Sequence, residues 1–344
     1  MTRPVYAGLP ATRRRLLAGG TALLAGWALP LRGEPSRTAA APLRVQRPLM
    51  GTRVGIAAVG DPGLLAPAIE AAYAEMARLV AMMSHYQPTS VVGAINLAAG
   101  LQPVAVPREL MQVLQAAQSV ARQSHGAFDA TVGSVGRWHF DPAAPAMPTP
   151  QQIARGLGGV DWRQLVLDDH AGTALLTRRG MRLDLGGIAK LPILHAGLRT
   201  LQRHGIDSAL VDGGGDVLGI TAPGARPWRI GIRDPRAPQR LAGTVQISNG
   251  IVASSGDYER CFERDGRIYH HVLDPHTGYP ATGPHGVTLV AESLDAVNGI
   301  GTATMVMGPD EGREWLRGRG IDALIGGRDG TLWLSAGMRR RTSA

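Results

Sequence analysis

At 344 residues, 44% of them hydrophobic, the chain is long enough to bury a core as one large domain or two small ones. Its apolar residues are interrupted by Gly, Pro or charge everywhere except near the N-terminus, which excludes a membrane-embedded body. The formal charge of +9 is concentrated at the two ends, five units in residues 1–40 and three in Arg339 to Arg341, so the near-neutral body offers no basic stripe for nucleic acid.

The first element is a leader. Arg13-Arg14-Arg15-Leu16-Leu17 precedes a Gly/Ala/Leu-rich run of about 14 residues, too short to span a bilayer, and Ala39 to Ala41 offer a cleavage site. A twin arginine followed by two leucines and a glycine-diluted apolar core resembles a Tat signal, which implies export to the periplasm. Residues 1–41 are therefore read as signal peptide and leader, 42–338 as the functional domain and 339–344 as a basic tail. The single Cys261 cannot form an intramolecular disulfide and is read as a core residue.

Along the body, residues 54–59 read as a strand. Residues 64–83 carry Leu65, Ile69, Tyr73, Met76 and Leu79 at helical spacing, and residues 109–122 repeat the pattern. Short strand-like runs follow at 165–167, 209–211 and 229–232, with a helix near 193–204. Further strands are expected at 243–247, 270–273 and 287–291, then one helix over 295–307. The mixture predicts an α/β (α+β) domain on a mixed, largely antiparallel sheet, and the Pro-rich 141–150 stretch is the expected loop between two lobes.

Two features point to chemistry. Of 36 basic residues 35 are arginine, and Lys190 is the only lysine. A site that keeps lysine in such a chain calls for a compact ammonium with rotatable donors. It follows Gly186-Gly187, which lets backbone approach a ligand, and stands where a helix is expected to begin, a position suited to phosphate oxygens. The glycine spacing is not that of a P-loop. The second feature is His270-His271 before Asp274-Pro275-His276-Thr277-Gly278. On a strand the two histidines face opposite ways, so one of them at most serves a given pocket. Zinc is disfavoured, because no Cys or carboxylate of suitable spacing accompanies them.

Taken together, eight motifs in order resemble the ApbE family of FAD:protein FMN transferases over residues 48–308. They are Met50-Gly51-Thr52; Ser84 to Ser90 with Ile95-Asn96; Gly126 to Gly133 with Trp138; Asp184 to Lys190; Asp212 to Asp216; Ala253 to Tyr258; His271 to Gly278; and Thr302 to Gly308. The resemblance implies a two-lobed domain that binds FAD through Met50, Tyr86, Ala127, Phe128, Asp129, Asp184, Lys190 and Val272. It implies Mg²⁺ at the Gly187 carbonyl and at Asn298, Gly301 and Thr302, with His271 as the base and Lys190 beside the phosphates. The implied reaction is attack by a Thr or Ser hydroxyl of a target flavoprotein on the FMN phosphorus, expelling AMP. A Tat-exported member fits maturation of a membrane respiratory component, such as a nitrous-oxide-reductase accessory protein.

Two departures accompany the likeness. Leu191-Pro192 follows Lys190 where the family has glycine, and Asn298 stands where it has aspartate, four residues before Thr302. An amide oxygen ligates Mg²⁺ without contributing charge. On one continuous helix Asp295 would lie about 10 Å along the axis from Thr302, too far to replace it. An FAD pyrophosphatase and a non-catalytic FAD-binding protein are the alternative readings.

Overall fold

The structure, a computed structural model, describes residues 41–343. Most of the leader therefore lies outside the described residues.

Alternation of apolar side chains organises the fold. In the Thr52–Val59 strand, Val54, Ile56 and Ala58 enter one core while Ala57 enters another; Ile251 and Ala253 are likewise separated from Val252, and Leu289 from Val290. A strand with both faces apolar needs cover on both sides. These strands belong to an eight-stranded sheet in the order Leu43–Leu49, Thr52–Val59, Ser208–Gly213, Asp216–Ile220, Gly250–Gly256, Gly286–Ala291, Asp322–Gly326 and Leu332–Leu334. Every neighbouring pair in it is antiparallel.

Helices cover one face. Pro62–Met83 is capped by Asp61, whose carboxylate accepts from the Gly63 N–H, and it buries Leu65, Ile69, Tyr73, Met76 and Leu79. It packs on Lys190–Arg203 so closely that a Cβ at Gly197 would lie 2.7 Å from the Met76 sulfur. Arg108–Gln123 and Ile300–Met307 complete this core. The hairpin of Trp228–Asp234 with Ala237–Ile247 covers the other face, and Met338 of Ala336–Arg341 closes it. Arg339 to Arg341 thus lie in a helix, and the Ser343 N–H donates to the Thr244 carbonyl at 2.9 Å. A satellite cluster joins Trp138, Phe140, Ile153 and Phe262; Met147 of the Pro-rich stretch packs on it, and Thr149 caps Pro150–Leu157.

Three expectations are corrected. The helix over 295–307 is two helices, Leu294–Val297 and Ile300–Met307, because Gly299 takes a left-handed φ of 75° that breaks the hydrogen-bond ladder at Asn298. The axial distance reckoned from Asp295 to Thr302 on one helix therefore does not apply. The strand over 270–273 ends earlier: it is Arg267–His270, paired with Cys261–Arg264, after which the chain enters the Asp274 turn. Cys261 is half-buried, and Phe262 beside it points inward instead.

Candidate active site

Two tight hairpins set one rim of the sheet. Leu49 pairs with Thr52 around Met50-Gly51, and Gly213 with Asp216 around Gly214-Gly215. All four loop residues have positive φ, at 55°, 69°, 61° and 92°, the two-residue turn that matches strand twist. Glycine takes this conformation freely; Met50 does not, and its backbone is strained at the rim. Without a side chain at Gly214, the Lys190 ammonium fits against the turn: a Cβ there would come within 3.3 Å of Thr52 Oγ1 and 3.5 Å of Lys190 Nζ.

From this rim the site closes into a ring. Lys190, first residue of its helix, places Nζ 3.3 Å from Asp216 Oδ2, while Asp216 Oδ1 accepts from the Ser254 N–H at 2.9 Å. Ser255 leads onward, since a Cβ on Gly301 would sit 2.7 Å from its hydroxyl. One residue later Thr302 Oγ1 donates to the Gly187 carbonyl at 3.4 Å, and a Cβ at Gly187 would touch both Thr302 and the Phe128 ring. The Asp184 N–H donates to the Ala130 carbonyl at 2.7 Å, joining the Gly187 loop to the 127–131 segment. Asp184 Oδ1 accepts from the Gly186 N–H at 2.8 Å and lies 3.2 Å from His85 Nδ1. The His85 ring lies tilted against Tyr86 with centroids 3.9 Å apart, and Arg260 Nη2 donates to Tyr86 Oη at 3.1 Å. The Arg260 carbonyl accepts from the His271 N–H at 3.1 Å, which brings the ring back to the histidine.

Charge and burial then assign protonation states. Burial, and after it the charges of Lys190 and Arg260, push the His271 imidazole down to about 3, so it is neutral at pH 7. Its Nδ1 is buried with no hydrogen-bond partner among the described residues. His270 also has an unpartnered Nδ1, but its Nε2 lies 2.9 Å from the Ala281 carbonyl and its side chain is 1% exposed, a structural placement. Burial opposes ionisation of Asp184, but the His85 hydrogen bond and charge win and hold its carboxyl below the usual carboxylate range.

Residues 50–325 match the ApbE family. The chain belongs to that family. Among curated relatives, it is 35% identical over 291 residues to the FAD:protein FMN transferase of Treponema pallidum, covering 79% of this chain and 80% of the relative. It is 33% identical to one of Klebsiella pneumoniae over 255 residues, 72% of this chain and 78% of that one. The crystal structure of the ApbE protein of Thermotoga maritima superposes with a TM-score of 0.81 at 30% identity, over 88% of this chain and all of that one. That of the Pseudomonas stutzeri flavinyl transferase ApbE reaches 0.74 at 26%, over 88% and 97%.

Of the residues that the family likeness assigns to FAD, the fold brings Tyr86, Phe128, Asp184 and Lys190 onto the ring. Met50 stands at the neighbouring hairpin tip, and Ala127 is buried next to Phe128. Val272 is buried directly after His271, its carbonyl taken by the Ala281 N–H. Asp129 turns inward: Oδ1 accepts from the Thr131 N–H and hydroxyl and Oδ2 from the Trp162 N–H, so its carboxylate fastens the loop that presents Phe128. Sequence reasoning assigned no role to Asp216, His85 or Arg260. For Asp216 a signal existed, because Gly-Gly between two apolar runs predicts a two-residue hairpin that fixes its place; for Arg260 none did.

Of the residues assigned to the metal, Gly187 and Thr302 meet. Gly187 O and Thr302 Oγ1 are 3.4 Å apart, and Asn298, 5% exposed, caps the short helix that leads into Gly299. Neighbouring oxygens in an octahedral shell with Mg–O bonds of 2.0–2.1 Å lie about 3 Å apart. An all-oxygen set without a carboxylate fits a small hard cation whose remaining ligands are water and phosphate. Among the described residues no group of three His, Cys, Asp or Glu side chains converges on a metal site.

Proposed function

We propose that the protein is an Mg²⁺-dependent FAD:protein FMN transferase, which joins FMN by a phosphoester to a Thr or Ser of a target flavoprotein and releases AMP. The observation that carries this reading is the neutral His271 set beside Lys190 and Arg260, a base flanked by cations at a rim built from glycine turns. The acceptor hydroxyl forms a bond to the FMN phosphorus, the P–O bond to AMP breaks, and the hydroxyl proton passes to the imidazole of His271. Lys190, held by Asp216, stabilises negative charge on the pyrophosphate. Bound through Gly187 O, Thr302 and Asn298, Mg²⁺ would neutralise phosphate charge.

His271 is a weak base in the free protein because two cations and burial oppose its protonation. An anionic pyrophosphate beside those cations offsets their field, so the base strengthens when FAD arrives. This ordering couples proton removal to substrate occupancy.

The Arg13-Arg14-Arg15 leader supports export by the Tat pathway to the periplasm, where a membrane respiratory component such as a nitrous-oxide-reductase accessory protein would be the acceptor. Incubating purified protein with FAD, Mg²⁺ and a candidate acceptor tests the reaction. Transfer gives acceptor heavier by FMN less water, with one AMP per label. AMP and free FMN without labelling would make it a pyrophosphatase, and retained intact FAD a binding protein.

A further inference from the structure

Arginines near the site are mostly matched. Arg233 pairs with Glu259 at 3.0 Å, Arg236 with Asp234 at 2.8 Å and Arg328 with Asp257 at 2.9 Å. Lys190 is matched by Asp216. Arg260 is different: among the described residues no carboxylate lies within ion-pair distance of its guanidinium, and its side-chain hydrogen bond goes to a neutral phenol, Tyr86 Oη. Asp184 feels its charge from further away, but Asp184 Oδ1 is already shared between His85 and the Gly186 N–H.

Position adds to this. Arg260 and His271 continue the ladder of the Cys261–Arg264 and Arg267–His270 strands by one further hydrogen bond, so the arginine is fixed in register opposite the base. The backbone is held while the exposed side chain is restrained only by a phenol. Its charge reaches His271 closely enough to be among the causes that depress the imidazole. A planar guanidinium with spare donors, exposed at the mouth of a pyrophosphate site, suits bidentate recognition of phosphoryl oxygens.

We infer that Arg260 is a substrate-positioning residue of this reaction, leaving Tyr86 to hold non-bridging oxygens of the FAD pyrophosphate and aim the FMN phosphorus at the hydroxyl that His271 deprotonates. The inference rests on the transferase reading for its catalytic half but not for its binding half. Neutral riboflavin, which has the isoalloxazine without the pyrophosphate, separates the two.

The test titrates FAD and riboflavin into wild-type protein, Arg260→Lys and Arg260→Ala by flavin fluorescence, and follows AMP release with acceptor present. Losing a charge-assisted hydrogen bond should weaken FAD binding by about 10- to 100-fold in Arg260→Ala and leave riboflavin affinity unchanged. The kcat should fall by about 10²-fold, with partial rescue by added guanidinium. Arg260→Lys should keep most of the FAD affinity but not the kcat, since an ammonium does not reproduce the planar fork. Equal weakening of FAD and riboflavin would make Arg260 a structural support of the loop, and unchanged FAD affinity in Arg260→Ala would refute the contact. Wild-type protein that releases no AMP while the FAD–riboflavin difference between variants persists would overturn the transfer reading and leave the pyrophosphate contact supported.

Discussion

Replacing the two adjacent histidines one at a time separates chemistry from architecture. His271 is neutral in the free protein, so His271→Ala removes no charge from the FAD site, and FAD affinity should stay within about twofold. On the proposed mechanism what is lost is the base, and its removal should lower kcat by about 10²–10⁴-fold. His270→Ala strips a nearly fully buried ring and leaves the Ala281 carbonyl without its 2.9 Å partner. An orphaned buried carbonyl and the cavity together cost about 2–4 kcal/mol, which lowers Tm by about 4–12 °C in a chain of this size. The molecules that remain folded at 25 °C should turn over at close to the wild-type rate. The assays are AMP release under saturating acceptor, flavin fluorescence titration and a thermal melt on the same preparations. The free-protein value near 3 also sets the pH profile: kcat/KM should show no acid limb from His271 above about pH 4, while the limb in kcat lies higher because bound pyrophosphate offsets Lys190 and Arg260. A His271→Ala protein that binds FAD tenfold more weakly at unchanged kcat would show a ligand rather than a base.

Restoring a carboxylate by Asn298→Asp should lower the Mg²⁺ concentration for half-maximal FAD cleavage by about tenfold, or about 1.4 kcal/mol, and Thr302→Val should raise it; unchanged midpoints in both would remove this segment from the metal site. Burial raises the Asp212 carboxyl to about 6, above its unfolded value near 3.9, so the native state carries a penalty that is complete above pH 6 and fades as pH falls toward 4. Asp212→Asn should therefore stabilise the protein by about 1–2 kcal/mol at pH 8 and by little at pH 4, the full shift being discounted for partial solvent access; equal melting gains at both pH values would contradict the linkage. Changing Arg13, Arg14 and Arg15 together to Lys should strand the protein in the cytoplasm, and normal periplasmic levels on fractionation would refute Tat export.

Where local physics decides, the sequence was sufficient. Leu65, Ile69, Tyr73, Met76 and Leu79 recur at the helical period and all five are buried in one helix. The runs at 54–59, 209–211 and 287–291 lie within observed strands, and the apolar alternation that marks them is the one that divides the two cores. Lys190 was conspicuous because a chain otherwise built with arginine retains a single lysine, and its place at the start of a helix followed from the pattern after it.

Tertiary structure decided what depends on residues distant in sequence or on one dihedral angle. The left-handed φ of Gly299 splits a segment whose composition reads as continuous helix, and a hydrophobic pattern carries no record of it. Pairing with Cys261–Arg264 ends the second strand at His270, so the histidines diverge at a strand end instead of alternating along a strand. Asp129 looks like a site carboxylate until three donors from Thr131 and Trp162 are found to occupy it. The Lys190–Asp216 pair and the approach of Arg260 to Tyr86 and His271 join residues 26 and 174 positions apart or bound across a hairpin. Periodicity reports which face of an element meets the core, because burial is a property of each side chain and its near neighbours; which elements bring their ends to one rim is settled by the sheet order, and that is a property of the whole chain.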